Sequence, residues 1–245
     1  SREVQRSGRR NAFRASLVGY TNAGKSSILR AIGNDPNVFV EDRLFATLDP
    51  LTREIDLGEN SKVLLTDTVG FIRKLPHNLV ASFRATLEEV NEADLLLHVI
   101  DASHPNWEEQ RQVVDQVLAE LGAAEKPVLY VFSKIDAMAE ADLTALRIRI
   151  GNLLPNSAVF VSALDEGGLE PLRRALMAAM RKGTEIAEIR VPSTEGRLLA
   201  AVYRDAIVID QRTDNGQLVI SARLDPHSAS RLSQAGADVS WKGRQ

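Results

Sequence analysis

Three observations predict an α/β fold, with a mostly parallel sheet covered by helices on both faces, followed by a small α+β domain. Near-continuous apolar runs alternate with helical runs over most of the chain. A glycine-rich loop carrying a lysine joins the first apolar run to the first helical one. Near residue 184 the pattern changes to alternating strands around an Asp214-Asn215-Gly216 turn.

Taken in order, the elements follow from local chemistry. Residues 1–14, "SREVQRSGRRNAFR", are polar and arginine-rich and read as a linker or the remnant of an upstream domain. "ASLVG" is a strand and "KSSILRAIG" a helix; "LTREIDLG" and "KVLLTDTVG" are strand-like runs around a turn at 58–61. Residues 76–93 have helical spacing, with Pro76 at the start and Leu79, Phe83 and Leu87 on one face. "DLLLHVIDAS" is a continuous apolar strand, and an amphipathic helix from Trp107 stops at Gly122. "PVLYVFSKID" is a buried strand, "AEADLTALRIRIGNLL" a helix, "SAVFVSA" a strand, and "GLEPLRRALMAAMRKG" a helix capped by Gly183. Beyond it "EIAEIRVP" alternates, a short helix spans "TEGRLLAAVYRD", and a hairpin spans residues 206–224. A helix and a last strand close the chain. The expected domains are 15–183 and 184–245.

Bulk composition narrows the function classes. The 245 residues are 44% hydrophobic and 26% charged, enough to bury a core. The net charge of −3 gives no global basic field for nucleic acid. No cysteine is present, which excludes disulfides, thiolate catalysis and Cys-based zinc sites in this sequence. No apolar run is long enough to span a membrane, and no signal-peptide pattern is found. The chain starts at Ser1 rather than a methionine, so a fragment or processed form is expected.

Gly19, Tyr20, Thr21, Asn22, Ala23, Gly24, Lys25 and Ser26 fit the phosphate-loop spacing G-x-x-x-x-G-K-S, between a strand and a helix. Glycines let backbone N–H groups approach phosphates, and the helix N-terminus adds partial positive charge. Lys25 would neutralise the β- and γ-phosphates, the Ser26 hydroxyl would ligate Mg²⁺, and Ser27 follows in the same turn. A second magnesium-side acid is needed at a neighbouring strand end, and Asp67 supplies it, through water. Gly70 would offer its N–H to the γ-phosphate. Thr47 is the candidate to complete the magnesium shell. In Ser133-Lys134-Ile135-Asp136 the carboxylate would accept from the paired donor edge of guanine, and the Lys134 stem would lie against the nucleotide. Ser162 and Ala163 would reach the base through backbone. The fold expectation thereby sharpens to a P-loop NTPase with a Ras-like G domain.

The ordered set GYTNAGKS, FATLDP, DTVGF, SKID and VSA resembles the translation-factor-related GTPases. The longer phrases "LFATLDPLTR", "DTVGFIRKLPHNLVASFRATLEEV" and "ADLLLHVIDASHP" are similar to the HflX family, over about residues 16–183. The resemblance implies a Mg²⁺-dependent hydrolase of GTP, bound to the large ribosomal subunit through rRNA and ribosomal proteins, that splits or rescues stalled ribosomes. It also implies a large upstream domain that this chain lacks; a monomer and a cytoplasmic or organelle-matrix location are further expectations. Two features depart from the family pattern. Ser133 replaces an expected asparagine, which leaves ATP open as a substrate. Phe71 stands where many GTPases carry a water-orienting glutamine, so slow turnover raised by a partner or a bound ion is expected. Asn22 either ligates K⁺ beside the phosphates or braces the loop through its side chain. His98 reads as a core residue, His77 as a switch neighbour, and His104 and His227 as loop or cap residues. Two alternatives stay open: a GTP-regulated module for RNA modification or ribonucleoprotein assembly, and a nucleotide-binding module with negligible hydrolysis.

Overall fold

The computed structural model describes residues 13–33, 51–58, 61–68, 70, 88–155 and 157–242. The described residues divide into two compact units, one built on 13–55 and 63–176, the other gathering 56–62 with 177–242.

The first unit holds the strands β1 (Phe13–Gly19), β2 (Leu51–Gly58), β3 (Ser61–Asp67), β4 (Leu95–Asp101), β5 (Val128–Ser133) and β6 (Ala158–Phe160), with β2 and β3 crossing into the second unit at their turn. Their order in the sheet is β2-β3-β1-β4-β5-β6. β1 pairs in parallel with β3 on one side and β4 on the other, and β4-β5 and β5-β6 are parallel too. Only two residues join β2 to β3, a connection that permits antiparallel pairing alone. Across that pair Thr52 and Thr66 hydroxyls hydrogen-bond at 2.8 Å. The mostly parallel α/β sheet expected from the apolar runs is therefore present.

All seven residues of β4 are buried, so the sheet is covered on both faces. The helices α1 (Lys25–Ile32), α2 (Trp107–Glu120), α3 (Glu140–Leu153) and α4 (Glu170–Arg181) supply that cover. Val114 and Leu118 of α2 pack with Val18 and Leu96, and Leu146 and Ile150 of α3 with Ile100 and Phe132. Arg173 donates to the Ile32 carbonyl at 2.5 Å and ties α4 to the last turn of α1. Residues 88–92 are helical; Pro76, Leu79, Phe83 and Leu87 of the expected helix lie outside the described residues. His98 is a core residue as expected, 1% exposed and 3.1 Å from Asp115 Oδ1, off the line of a hydrogen bond.

Two boundaries differ from expectation. β1 opens at Phe13 rather than 15, because Phe13 and Arg14 still pair with Val63 and Leu64. The expected strand "SAVFVSA" keeps only Ala158–Phe160, because the chain turns at Ser162. The order in which successive strands are added reverses about β1, with β3 on one side and β4 on the other. In such sheets the crevice at the carboxyl ends of the strands is where ligands bind.

The second unit is an antiparallel sheet in the order β10-β7-β9-β8, built from β7 (Glu185–Pro192), β8 (Ile207–Asp214), β9 (Gln217–Leu224) and β10 (Asp238–Trp241). Helices α5 (Gly196–Asp205) and α6 (Pro226–Gln234) cover one face, with Leu198, Val202 and Leu232 on Ile189, Ile220 and Ala222. The hairpin turns at Asn215 and Gly216 with φ of 47° and 79°, the left-handed pair a two-residue turn needs. Asp225 caps α6 by accepting from the N–H groups of His227 and Ser228, both at 2.9 Å.

Candidate functional site

The loop after β1 is shaped by close backbone approach. A Cβ on Gly19 would lie 2.3 Å from the Val99 carbonyl oxygen of β4, so no side chain fits there. Asn22 and Gly24 are left-handed, with φ of 61° and 100°. Asparagine tolerates that region better than most residues, which explains its place in the loop. α1 begins at Lys25 with Gly24 as its cap, and its first turn carries no acid. The first N–H groups of α1 therefore face the loop without a competing carboxylate.

Lys25 is buried and donates to the carbonyls of Gly19 at 3.3 Å and Tyr20 at 3.1 Å. Burial pushes its pKa down to about 8, against the opposing pull of Asp67. Ser26 donates its hydroxyl to Asp67 Oδ2 at 2.5 Å. Asp67 ends β3, 1% exposed, in register with Leu17 of β1. A hydroxyl and a carboxylate this close form the hard-oxygen pair that Mg²⁺ prefers, so the donor set fits that ion. Gly70 closes over the loop, since a Cβ there would lie 2.8 Å from Thr21 Cα and 3.2 Å from Lys25 Nζ. Ser27 is half-buried in the first turn of α1.

The other expected residues gather at the ends of β5 and β6. Ser133 is buried, with its Oγ 2.5 Å from the Ala23 carbonyl and 3.0 Å from that of Ile100. The serine thus reaches the phosphate loop despite being shorter than asparagine. Lys134 is left-handed, with φ 59°, and its Nζ is 2.7 Å from Asp101 Oδ2. Asp136 lies in the 3₁₀ turn Ile135–Ala137, exposed, and its carboxylate has no hydrogen bond among the described residues. Ser162 uses its hydroxyl as an acceptor for the N–H groups of Leu164 at 3.1 Å and Asp165 at 3.0 Å, which organises the loop. Ala163 follows it, half-buried. Asn22 is exposed, and its side chain makes no hydrogen bond among the described residues. The loop-bracing alternative for Asn22 therefore finds no partner there. Thr47, Phe71 and His77 lie outside the described residues. His104 accepts from the Asn106 N–H at 3.1 Å, and His227 lies in the first turn of α6.

Three contributors escaped the sequence reading. Thr68 donates to the Leu17 carbonyl at 2.6 Å and anchors the chain just before Gly70. Gly168 closes the Ser162 loop, where a Cβ would meet the Ser162 carbonyl at 2.4 Å. Its only sequence signal is the Gly167-Gly168 pair after two acids. Asp101, the partner of Lys134, lies in the phrase "ADLLLHVIDASHP" but was given no role of its own.

A family described as 50S ribosome-binding GTPase matches residues 14–134. A GTPase HflX from Magnetococcus marinus is 40% identical over 95% of this chain and 53% of its own length. The GTPase HflX of Escherichia coli (strain K12) is 42% identical over 85% of this chain and 48% of its own. The chain thus spans about half the length of the curated relatives it matches. Among solved structures, a GTP-binding protein from the archaeon Sulfolobus solfataricus in complex with GDP aligns with a TM-score of 0.54 at 26% identity, over 74% of this chain and 56% of that one. Aquifex aeolicus Era bound to GDP and AlF4⁻ aligns at 0.57 and 22% identity, over 69% of this chain and 57% of that one, a likeness of fold alone. With the phosphate loop, Asp67 and Asp136 at one sheet edge and sequence identity extending into the second unit, the chain belongs to the HflX family of GTPases.

Proposed function

We propose that this chain is a Mg²⁺-dependent GTP-binding protein that hydrolyses GTP to GDP and phosphate in association with the large ribosomal subunit. The observation that carries the reading is the convergence of three chemistries at the carboxyl ends of β1, β3 and β5. These are a cation in a phosphate loop, a Ser26–Asp67 oxygen pair for the metal, and an exposed Asp136, unpaired among the described residues, for the base. Residues 15–183 would do this work as the GTPase domain, and 184–245 would form the small domain that meets the ribosome. The protein would act as a monomer in the cytoplasm. Among the described residues no helix is long and apolar enough to cross a membrane.

In the mechanism, Lys25 and the first N–H groups of α1 hold the β- and γ-phosphates, and the Gly70 N–H reports the γ-phosphate. Ser26 and Asp67, with Thr47, would hold Mg²⁺, which when bound neutralises charge on the phosphates. Asp136, Lys134, Ser162 and Ala163 select guanine over adenine. Asn22 would hold K⁺ where charge develops on the transferred group. The direct test is multiple-turnover GTP hydrolysis with and without purified large subunits, in K⁺ and in Na⁺ salts. Acceleration by the subunits in K⁺ is expected; no acceleration removes the ribosomal partner, and equal rates in the two salts remove the K⁺ role. A second reading, nucleotide binding with negligible hydrolysis, is favoured by Phe71 at the usual glutamine position. Single-turnover decay of GTP decides between them.

The lowered pKa of Lys25 gives a pH dependence. Phosphates around the ammonium raise its pKa in the complex above the value of about 8 in the free chain. Affinity for GDP is therefore flat below that pH. Above it, binding must take up a proton, and the dissociation constant rises by up to about tenfold per pH unit. Titrations at several pH values between neutral and alkaline, with folding followed by circular dichroism, read this directly. A constant affinity across the range would remove Lys25 from the phosphate contact.

A further inference from the structure

We propose that Asp101 is a positioning residue for the nucleobase, acting by pinning Lys134 across the phosphate loop; this rests on the GTP reading above. Asp101 ends β4 beside Ser133, with which it is in register, and the Ala102 N–H donates to the Ser133 carbonyl at 3.0 Å. The strands are thus already joined without any side chain. The Asp101 carboxylate is itself held: Oδ1 accepts from the Ser103 N–H at 3.0 Å and the Ser103 hydroxyl at 2.6 Å. That leaves Oδ2 aimed at Lys134 Nζ, 2.7 Å away. The acid's side chain is 12% exposed and the lysine's 40%, so the acid is the fixed partner and the lysine the one being held.

The consequence lies along the lysine stem. Lys134 is left-handed and follows directly on Ser133, whose hydroxyl touches the phosphate loop at Ala23. Its Cε lies 4.0 Å from where a Cβ of Gly24 would be, so the methylene stem runs beside the loop with its ammonium tethered beyond. A tethered stem presents a flat apolar wall to a ring seated by Asp136. A free lysine would have to lose its rotamer freedom when the ring arrives. Asp101 thereby tunes affinity for the nucleoside and leaves the phosphate contacts untouched. The phrase "ADLLLHVIDASHP" contains it but assigns it no role, because the acid is thirty-three residues from the lysine that it holds.

The experiment measures affinity of the full chain for GDP and for inorganic triphosphate, which can occupy only the phosphate loop. Asp101→Asn keeps the acceptor for Ser103 but presents an amide to the ammonium. It is expected to weaken GDP about tenfold, with triphosphate unchanged within about twofold. Asp101→Glu should recover part of the loss. In a Lys134→Met background Asp101→Asn should add less than about twofold, because its route of action is gone. Unchanged GDP affinity, a proportional loss of triphosphate binding, or full additivity with Lys134→Met would each overturn the proposal. If Asp101→Asn does not fold, Ser103→Ala, which removes the hydroxyl donor to Oδ1 and leaves only the backbone N–H, should weaken GDP in the same selective way by about threefold, and no change there counts against it. A wild-type chain that binds triphosphate as tightly as GDP would overturn the GTP reading itself, before any variant is compared.

Discussion

Lys25→Met is expected to lose guanine-nucleotide binding by about 100-fold or more, equivalent to about 2.7 kcal/mol, while the folded chain becomes no less stable and, at neutral pH, more so. The two halves of this result have separate causes. In the free protein the ammonium has already left water, and its contacts are the Gly19 and Tyr20 carbonyls. Burial makes it a reluctant cation, with its pKa pushed down to about 8. Measured against the unfolded chain, whose lysine keeps the ordinary value of 10.5, the folded state binds fewer protons between those pH values. Lys25 therefore costs stability at neutral pH, and that cost fades as the pH rises toward the unfolded value. A methionine of similar length removes the cost along with the function. Fluorescent-GDP titration and urea unfolding on the same preparation give both numbers. Normal GDP affinity would refute the phosphate assignment, and a parallel loss of folding would make Lys25 a structural residue instead.

Gly19→Ala should have the largest effect on stability, at least about 3 kcal/mol, because its Cβ has nowhere to go. The added carbon would lie 2.3 Å from the Val99 carbonyl oxygen and 3.3 Å from its carbon. Both belong to β4, whose seven residues are all buried, so the obstacle is a central strand rather than a movable side chain. Gly151→Ala is the matched control. That glycine lies inside α3, and a Cβ there meets nothing within 4 Å. It should stabilise the chain by about 0.5–1 kcal/mol, since alanine is the better helix former. Urea midpoints that move in opposite directions support both readings. A Gly19→Ala midpoint equal to the wild type would mean that the loop is not pressed on β4.

Much of the site was legible because its chemistry is local. Glycines at 19 and 24, the lysine at 25 and the serine at 26 stand at a spacing that serves one purpose, and a strand precedes them. Asp67 and Asp136 were legible as acids ending apolar runs, a position that places them at the carboxyl edge of any parallel sheet. The hairpin at Asn215-Gly216 was legible because left-handed φ selects those residue types. Less legible was the end of β6, where "SAVFVSA" reads as one apolar run although Ser162 spends its hydroxyl on turning the chain.

Residue types and their spacing were enough to predict a glycine-lysine loop in a strand-loop-helix setting, acids at the ends of apolar runs, and alternating strands beyond residue 184. Contacts between residues far apart in the chain were decided only by folding. Ser133 meets Ala23 across 110 residues, and Gly168 makes room for the Ser162 carbonyl. Asp101 finds Lys134, and Lys25 loses its water. The physical reason is that backbone conformation and strand ends follow from neighbours a few residues away. Desolvation, ion pairing and close approach depend instead on which strands lie side by side, and sheet order is a property of the whole chain.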